Sequence, residues 1–133
     1  MSHVRILLAD DNANFLEVAS SFLEPTFEVI GAVGDGQSLL NATAKLKPDV
    51  LIIDICMPIL NGIEAAEKLW NSGNTAKIVF LTVYDDPDFI RASLAAGAMG
   101  YVIKSRIGEE LVLAVHEALA DRIFISPSLG LRR

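Results

Sequence analysis

The 133-residue sequence predicts a single α/β domain in which a five-stranded parallel sheet is covered by helices on both faces. Two observations carry this prediction. Short runs of Val, Ile and Leu alternate five times with longer segments of helical periodicity, and helical connections of that length join parallel strands. In addition, 52% of the residues are hydrophobic and 21% are charged, which is the balance of one globular domain with its own core.

The predicted strands are short, rich in aliphatic residues and bounded by polar or turn-forming residues. The third strand is apolar at every position, which is typical of a strand that is covered on both faces. Each strand is separated from the next by enough residues for a helix. In chain order, the predicted strands span residues 4–9, 27–33, 50–53, 77–81 and 100–103.

The predicted helices show apolar residues at intervals of three and four, and several have a recognisable start or stop. Pro25 stops the first helix. Asp35 can accept the hydrogen bond that caps the second, and Pro48 ends it because the residue before a proline disfavours helical geometry. A loop with Pro58 and Asn61-Gly62 precedes the third. In chain order, the predicted helices span residues 12–24, 35–47, 63–71, 86–96 and 108–120.

We predict a domain boundary near residue 121, with residues 1–121 forming the domain and residues 122–133 the start of a C-terminal linker. The second segment contains Pro127, Gly130 and two terminal arginines, a composition typical of linkers. No stretch approaches the roughly 18 consecutive apolar residues of a membrane span, and the first apolar run is too short for a signal peptide. We therefore expect a cytoplasmic protein without a membrane partner.

Charge and cysteine content exclude several functional classes. Eleven Lys and Arg residues oppose 17 Asp and Glu residues, and the resulting net charge of −6 disfavours direct binding to a nucleic-acid backbone. One cysteine and two histidines far apart in the sequence provide neither a disulfide framework nor a zinc site.

Polar side chains follow four of the five predicted strands at their carboxyl ends. Asp10 and Asp11 follow strand one, Asp54 follows strand three, Thr82 follows strand four and Lys104 follows strand five. In open parallel sheets, ligands bind at these ends, where the strand order reverses. If the strands adopt the flavodoxin-like order 2-1-3-4-5, the five side chains meet at one edge of the sheet.

The charges at this edge predict a site for a phosphoryl group. Three clustered carboxylates repel one another unless a cation lies among them, and Mg²⁺ prefers oxygen ligands and shares its coordination shell with phosphate. Asp54 ends the most buried strand, and a carboxylate can act as the nucleophile that forms an acyl phosphate. We therefore predict that Asp54 is the acceptor, while Asp10 and Asp11 hold the metal.

Together, these residues resemble the receiver domain of response regulators in bacterial two-component signalling, over residues 4–121. The tail Ile123-Phe124-Ile125-Ser126-Pro127 is most similar to receivers that precede a LuxR-type (NarL/FixJ-like) helix-turn-helix, an output domain that this chain lacks. The fragments that carry the resemblance are Ala9-Asp10-Asp11-Asn12, Asp54-Ile55-Cys56-Met57-Pro58 with Asn61-Gly62, Leu81-Thr82, and Gly100-Tyr101-Val102-Ile103-Lys104.

The resemblance implies a set of ligands and partners. Asp54 would accept a phosphoryl group from a sensor histidine kinase, with Mg²⁺ as cofactor bound by Asp10, Asp11, Asp54 and the backbone carbonyl of Cys56. Lys104 would pair with the phosphoryl oxygens. Such a protein is a signalling domain rather than a turnover enzyme, although it catalyses its own aspartyl phosphorylation and dephosphorylation.

The resemblance also implies a conformational switch. Thr82 would move its hydroxyl onto the phosphoryl group, and Tyr101 would turn into the vacated space, which alters the surface of helix four, strand five and helix five. Contact with DNA would occur only through an output domain outside this chain. We further hypothesise that Tyr84, two residues after Thr82, shields the acyl phosphate from water.

Helix five is apolar around more than one stripe, which is typical of a buried helix or an interface. We predict a homodimer, promoted by phosphorylation, through helix five together with helix four or helix one. The residues that make helix five apolar are Leu111, Val112, Val115 and Leu119.

Three alternative functions remain open at this point. One is a phosphorylation-independent, receiver-like interaction module. Another is a flavodoxin-type cofactor binder, which would need a phosphate-binding loop where Asp10-Asp11 stands. The third is a metal-dependent phosphohydrolase, whose aspartyl nucleophile usually follows strand one and which needs a second acid or base for turnover.

Overall fold

A computed structural model describes residues 3–129 and contains one parallel sheet of six strands. The strands are β1 (Arg5–Ala9), β2 (Glu28–Val33), β3 (Val50–Ile53), β4 (Lys77–Thr82), β5 (Gly100–Ile103) and β6 (Phe124–Ile125). Their order across the sheet is β2-β1-β3-β4-β5-β6, and every neighbouring pair is parallel. The predicted flavodoxin-like order 2-1-3-4-5 is therefore confirmed for the first five strands.

Within the described part of the chain, five α-helices connect and cover the strands, and four of them begin at a capping side chain. The side-chain oxygens of Asn12, Asp35, Asn61 and Asp86 each accept a hydrogen bond from a backbone N–H in the first turn. The predicted cap at Asp35 is thus confirmed. The helices are α1 (Ala13–Leu23), α2 (Gly36–Leu46), α3 (Gly62–Asn71), α4 (Pro87–Ala95) and α5 (Ile107–Leu119).

The core lies in two layers because successive strand residues point to opposite faces of the sheet. In β1, Leu7 and Ala9 face the layer that contains α2, α3 and α4, whereas Ile6 and Leu8 face α1 and α5. All four residues of β3 are buried, as the apolar sequence predicts for a strand covered on both faces. Within residues 3–129, no helix has the length and hydropathy that a bilayer crossing requires.

The sixth strand, β6, was not predicted. Phe124 donates a backbone hydrogen bond to Met99 at 3.0 Å, and Ser126 donates one to Tyr101 at 2.9 Å, so this segment extends the sheet beyond β5. A two-residue strand is too short to show periodicity, and it forms because the edge of β5 offers unpaired backbone groups. The assignment of residues 122–133 as the start of a linker stays a prediction, and Gly130 and the terminal arginines lie outside the described residues.

Candidate functional site

The three predicted acidic residues lie together at the carboxyl end of the sheet. Asp10 follows β1 and Asp54 follows β3, which are neighbouring strands, and the Asp54 N–H donates to the Ala9 carbonyl at 2.9 Å. One carboxylate oxygen from each of Asp10, Asp11 and Asp54 lies within 4.8 Å of the others. Asp10 and Asp54 are buried while Asp11 is exposed, so the cluster opens to solvent on one side.

Lys104 reaches this cluster from the end of β5. Its Nζ lies 2.7 Å from Asp10 Oδ2 and 3.3 Å from Asp54 Oδ2, so one ammonium group bridges both buried carboxylates. The ammonium also lies 4.3 Å from the centre of the Phe15 ring, a cation–π contact that was not predicted from the sequence. The available signal was the position of Phe15 on α1, one turn after the Asp10-Asp11 pair.

Burial and neighbouring charges shift the protonation equilibria of the site. Burial raises the pKa of Asp54, the positive charge of Lys104 opposes this effect, and the negative charge of Asp10 adds to it. For Lys104, burial lowers the pKa, but the hydrogen bond to Asp10 and the charge of Asp54 outweigh burial and leave the pKa raised. Lys104 therefore stays positively charged. For Asp54, the charge of Lys104 does not fully offset the effect of burial on the ionised carboxylate.

One oxygen of Asp54 has no hydrogen-bond partner among the described residues. Asp54 Oδ2 contacts Lys104, but Oδ1 is buried and receives no hydrogen bond from the part of the chain that the structure describes. The backbone carbonyl of Cys56 likewise accepts no hydrogen bond from residues 3–129. Three carboxylates and a free carbonyl are the oxygen donors that a hard divalent cation such as Mg²⁺ prefers, so this donor set fits the predicted ion.

The loop after β3 holds Asp54 against the start of α3. A Cβ atom at Gly62 would lie 2.2 Å from the backbone oxygen of Asp54, so this close approach requires glycine. Asn61 and Glu64 form a reciprocal capping box directly beside it. The Asn61-Gly62 pair therefore fixes the start of α3 against the backbone of Asp54.

Thr82 and Tyr101 are linked through the backbone of Tyr84. Thr82 is fully buried, and its Oγ1 accepts a hydrogen bond from the Tyr84 N–H at 3.5 Å. The buried Tyr101 hydroxyl donates to the Tyr84 carbonyl at 2.7 Å. Burial raises the pKa of Tyr101, and the charges of Asp85 and Asp54 raise it further. The Tyr101 ring thus lies inside the protein, next to the residues that follow β4.

Two exposed apolar residues occupy the loops beside the acidic cluster. Ile59, between β3 and α3, is 81% exposed and has a φ angle of 72°, in the left-handed region. Val83, directly after Thr82, is 66% exposed. A β-branched residue with positive φ is strained, and the sequence pattern gave no sign of this conformation.

The sequence of the chain matches the family model of the response regulator receiver domain over residues 6–116. It is 34% identical over 128 residues to the transcriptional regulatory protein DesR of Bacillus subtilis, covering 95% of this chain and 63% of the relative. It is 32% identical over 128 residues to the transcriptional regulatory protein DegU of Brevibacillus brevis, covering 95% and 54%. The chain thus spans between half and two thirds of the length of these relatives.

Solved structures resemble the chain over nearly its whole length. A LuxR-family two-component response regulator from Aurantimonas sp. SI85-9A1 superposes with a TM-score of 0.91 at 30% identity, covering 97% of this chain and 94% of that one. The isolated REC domain of RcsB from Salmonella enterica serovar Typhimurium, solved with the phosphomimetic BeF₃⁻, gives a TM-score of 0.88 at 25% identity and covers 97% of both chains.

Proposed function

The chain belongs to the response regulator receiver domain family, and from this membership we propose that Asp54 accepts a phosphoryl group from a sensor histidine kinase. The observation that carries the proposal is the unequal environment of the two Asp54 oxygens. Oδ2 is held by Lys104, while Oδ1 is buried and unpartnered within residues 3–129. A carboxylate in this state has one oxygen fixed in position and one free to form a bond.

The transfer step forms one bond and breaks one bond. A carboxylate oxygen of Asp54 forms a bond to phosphorus, while the bond from phosphorus to the histidine nitrogen of the donor breaks and leaves its electron pair on that nitrogen. Such reactions depend on positioning and charge stabilisation rather than on a strong nucleophile. Lys104 pairs with the phosphoryl oxygens, and its short contact with Asp10 holds the ammonium in place.

Asp10, Asp11, Asp54 and the Cys56 carbonyl would hold Mg²⁺, which supplies positive charge to the phosphoryl oxygens when bound. The proximity of the three carboxylates supports this role, since each would otherwise repel the others and the incoming phosphoryl group. Lys104 offsets only part of their charge.

We propose that phosphorylation is read out through Thr82 and Tyr101. The Thr82 hydroxyl moves toward the phosphoryl group, and the Tyr84 backbone, which contacts both Thr82 and Tyr101, transmits the change. Because Tyr101 lies on β5, the change reaches the surface formed by α4, β5 and α5. This linkage through one peptide group supports a two-state element that a charge at Asp54 can bias.

The output that we propose is control of transcription through a DNA-binding domain linked to this one. The relatives DesR and DegU are transcriptional regulatory proteins that are longer than this chain. A homodimer formed by phosphorylation fits the apolar surface of α1 and α5, where Val18, Phe22 and Leu113 are exposed. This surface favours α1 over α4 as the partner of α5 in the dimer.

The test is incubation of the chain with acetyl phosphate and Mg²⁺, followed by intact mass spectrometry. We expect one phosphate per chain, none with Asp54→Asn, and none when a chelator removes the metal. Asp88→Asn is the matched control, because Asp88 is an exposed acid on α4 outside the cluster, and it should gain phosphate normally. No gain by the parent chain would instead favour the phosphorylation-independent interaction module.

A further inference from the structure

Ser126, directly after β6, is anchored at the end of β5. The side chain is almost fully buried, with 1% of the residue exposed. Its Oγ accepts a hydrogen bond from the Ile103 N–H at 3.0 Å and donates one to a carboxylate oxygen of Glu110 on α5. The backbone N–H of Ser126 donates to the Tyr101 carbonyl at 2.9 Å. One residue of the C-terminal segment therefore contacts both β5 and α5.

Glu110 is buried, and a buried carboxylate is costly unless its oxygens are paired. One oxygen accepts from Ser126, and the other lies 3.3 Å from Nε of Arg106, in the single turn of 3₁₀ helix between β5 and α5. Glu110 thus connects the C-terminal segment to this turn. Neither Ser126 nor Glu110 belongs to the acidic cluster or to the pairs that Lys104 forms with it.

Lys104 lies between two residues, Ile103 and Arg106, that are held by hydrogen bonds to Ser126 and Glu110. The residue before it, Ile103, gives its N–H to Ser126, and two residues after it, Arg106 contacts Glu110. The backbone of Lys104 is therefore fixed on both sides by groups that meet at the Ser126–Glu110 hydrogen bond. From this backbone, the side chain extends to Asp10 and Asp54.

We propose that Ser126 and Glu110 are positioning residues for Lys104, so that docking of residues 124–126 on β5 and binding of a phosphoryl group at Asp54 strengthen each other. The inference rests on the proposed function, because it assigns these residues to the same reaction. Binding free energies are reciprocal: if a docked segment improves phosphoryl binding by a given factor, phosphoryl binding stabilises the docked segment by the same factor. The docking of residues 124–126 on β5 then depends on whether a phosphoryl group is bound at Asp54.

The first test compares Ser126→Ala with Ser93→Ala, each of which removes one buried hydroxyl. Ser93 donates its hydroxyl to the Phe89 carbonyl within α4, and in the structure of residues 3–129 it has no hydrogen bond to Lys104 or β6. We expect Ser126→Ala to bind BeF₃⁻ about five-fold or more weakly at saturating Mg²⁺, and to slow phosphorylation by acetyl phosphate by a similar factor. Ser93→Ala should match the wild-type protein in BeF₃⁻ affinity and in phosphorylation rate, even if it lowers the melting temperature as much as Ser126→Ala does.

A second measurement uses the wild-type chain and does not depend on whether Ser126→Ala folds. We expect hydrogen exchange at the amides of Ile103, Phe124 and Ser126 to slow by about the same five-fold when Mg²⁺ and BeF₃⁻ are added. Unchanged exchange at these amides, or equal BeF₃⁻ affinity in both serine variants, overturns the positioning role alone. A wild-type chain that neither binds BeF₃⁻ nor gains phosphate overturns the proposed function and the positioning role together.

Discussion

The hydroxyl of Tyr101 donates a hydrogen bond of 2.7 Å to the backbone carbonyl of Tyr84, across the space between β5 and the loop after β4. The same peptide segment contacts Thr82 through the Tyr84 N–H. Tyr101 is fully buried, so its hydroxyl has no access to water as an alternative partner. The ring position and the conformation of the loop after Thr82 are consequently interdependent.

Removal of this hydroxyl should destabilise the protein without preventing phosphorylation. We expect Tyr101→Phe to lower the free energy of unfolding by about 1 kcal/mol, because the Tyr84 carbonyl loses its partner while the aromatic ring is retained. Urea denaturation measures this change. Phosphate uptake from acetyl phosphate should be unchanged, and its loss would show that the hydroxyl acts at Asp54 itself.

Tyr84 should slow the loss of phosphate from Asp54. Its ring packs against Phe89, with the ring centres 4.7 Å apart, in the loop that follows Thr82. We expect Tyr84→Ala to shorten the lifetime of the phosphorylated protein several-fold, because water gains access to the acyl phosphate. Tyr84→Phe is the control, since it keeps the ring and should keep the lifetime. Loss from the wild-type domain within seconds would contradict the shielding role.

Asp54 should limit stability at neutral pH. Burial raises the pKa of Asp54, so the folded state binds a proton at Asp54 more tightly than the unfolded state does. The ionised carboxylate therefore lowers the free energy of unfolding as pH rises from the ordinary Asp pKa of about 4 through the raised value. We therefore expect Asp54→Asn to melt a few degrees higher than wild type at pH 7, with a smaller difference near pH 4.

Asp35 is a control of opposite sign for the pH dependence. The backbone hydrogen bond from Ser38, followed by the Ser38 hydroxyl, lowers the pKa of Asp35, so ionised Asp35 adds stability that is lost as pH falls through its lowered pKa. Asp35→Asn should accordingly remove stability at pH 7 and little near pH 3. Thermal melts of Asp54→Asn and Asp35→Asn, measured about every pH unit between pH 3 and 8, test the two signs together.

Ile59 should be replaceable by glycine with a gain in stability. The left-handed conformation costs a non-glycine residue roughly 1–2 kcal/mol, whereas glycine loses about 0.5–1 kcal/mol more conformational entropy on folding. Because Ile59 is mostly exposed, little burial is lost, and we expect Ile59→Gly to raise the free energy of unfolding by up to about 1 kcal/mol.

Val83 provides the comparison for Ile59. It is also an exposed, β-branched residue beside the site, but its φ angle is not positive. Val83→Gly should therefore lower the free energy of unfolding by about 0.5–1 kcal/mol. Denaturant titrations that give both variants the same sign would argue against strain at Ile59.

The exposed apolar surface of α1 and α5 should mediate dimerisation of the phosphorylated form. Phe22 on α1 lies against Gly108 of α5, and Val18 and Leu113 are partly exposed on the same two helices. At protein concentrations of roughly tens of micromolar, we expect the wild-type protein to sediment as a dimer when Mg²⁺ and BeF₃⁻ are present. The double variant Val18→Lys, Leu113→Lys should remain monomeric.

Trp70→Ala is the matched control for the dimer. Trp70 is the most exposed aromatic residue among those described, at 68%, but it lies on α3. Its replacement should leave the dimer intact. A wild-type sample that stays monomeric with Mg²⁺ and BeF₃⁻, or a dimer that survives both lysine substitutions, would count against the α1–α5 surface.

The sequence by itself determined the alternation of elements, their approximate ends and the residue types at the strand ends. These features depend on local physics: periodicity places apolar residues on one face, Asp35 and Asn61 cap helices by contacts within one turn, and parallel strands bring their carboxyl ends to one edge. The proximity of Asp10, Asp11 and Asp54 therefore followed from the fold class, and the structure confirms it.

Only the tertiary structure decided which partners these groups have. The bridge from Lys104 to two carboxylates, the ring of Phe15 beneath its ammonium and the hydrogen bond between Ser126 and Glu110 join residues that are distant in sequence. No local pattern encodes such contacts, because each depends on how helices and strands pack against one another. The addition of β6 likewise depends on non-local packing, which overrides weak local preferences.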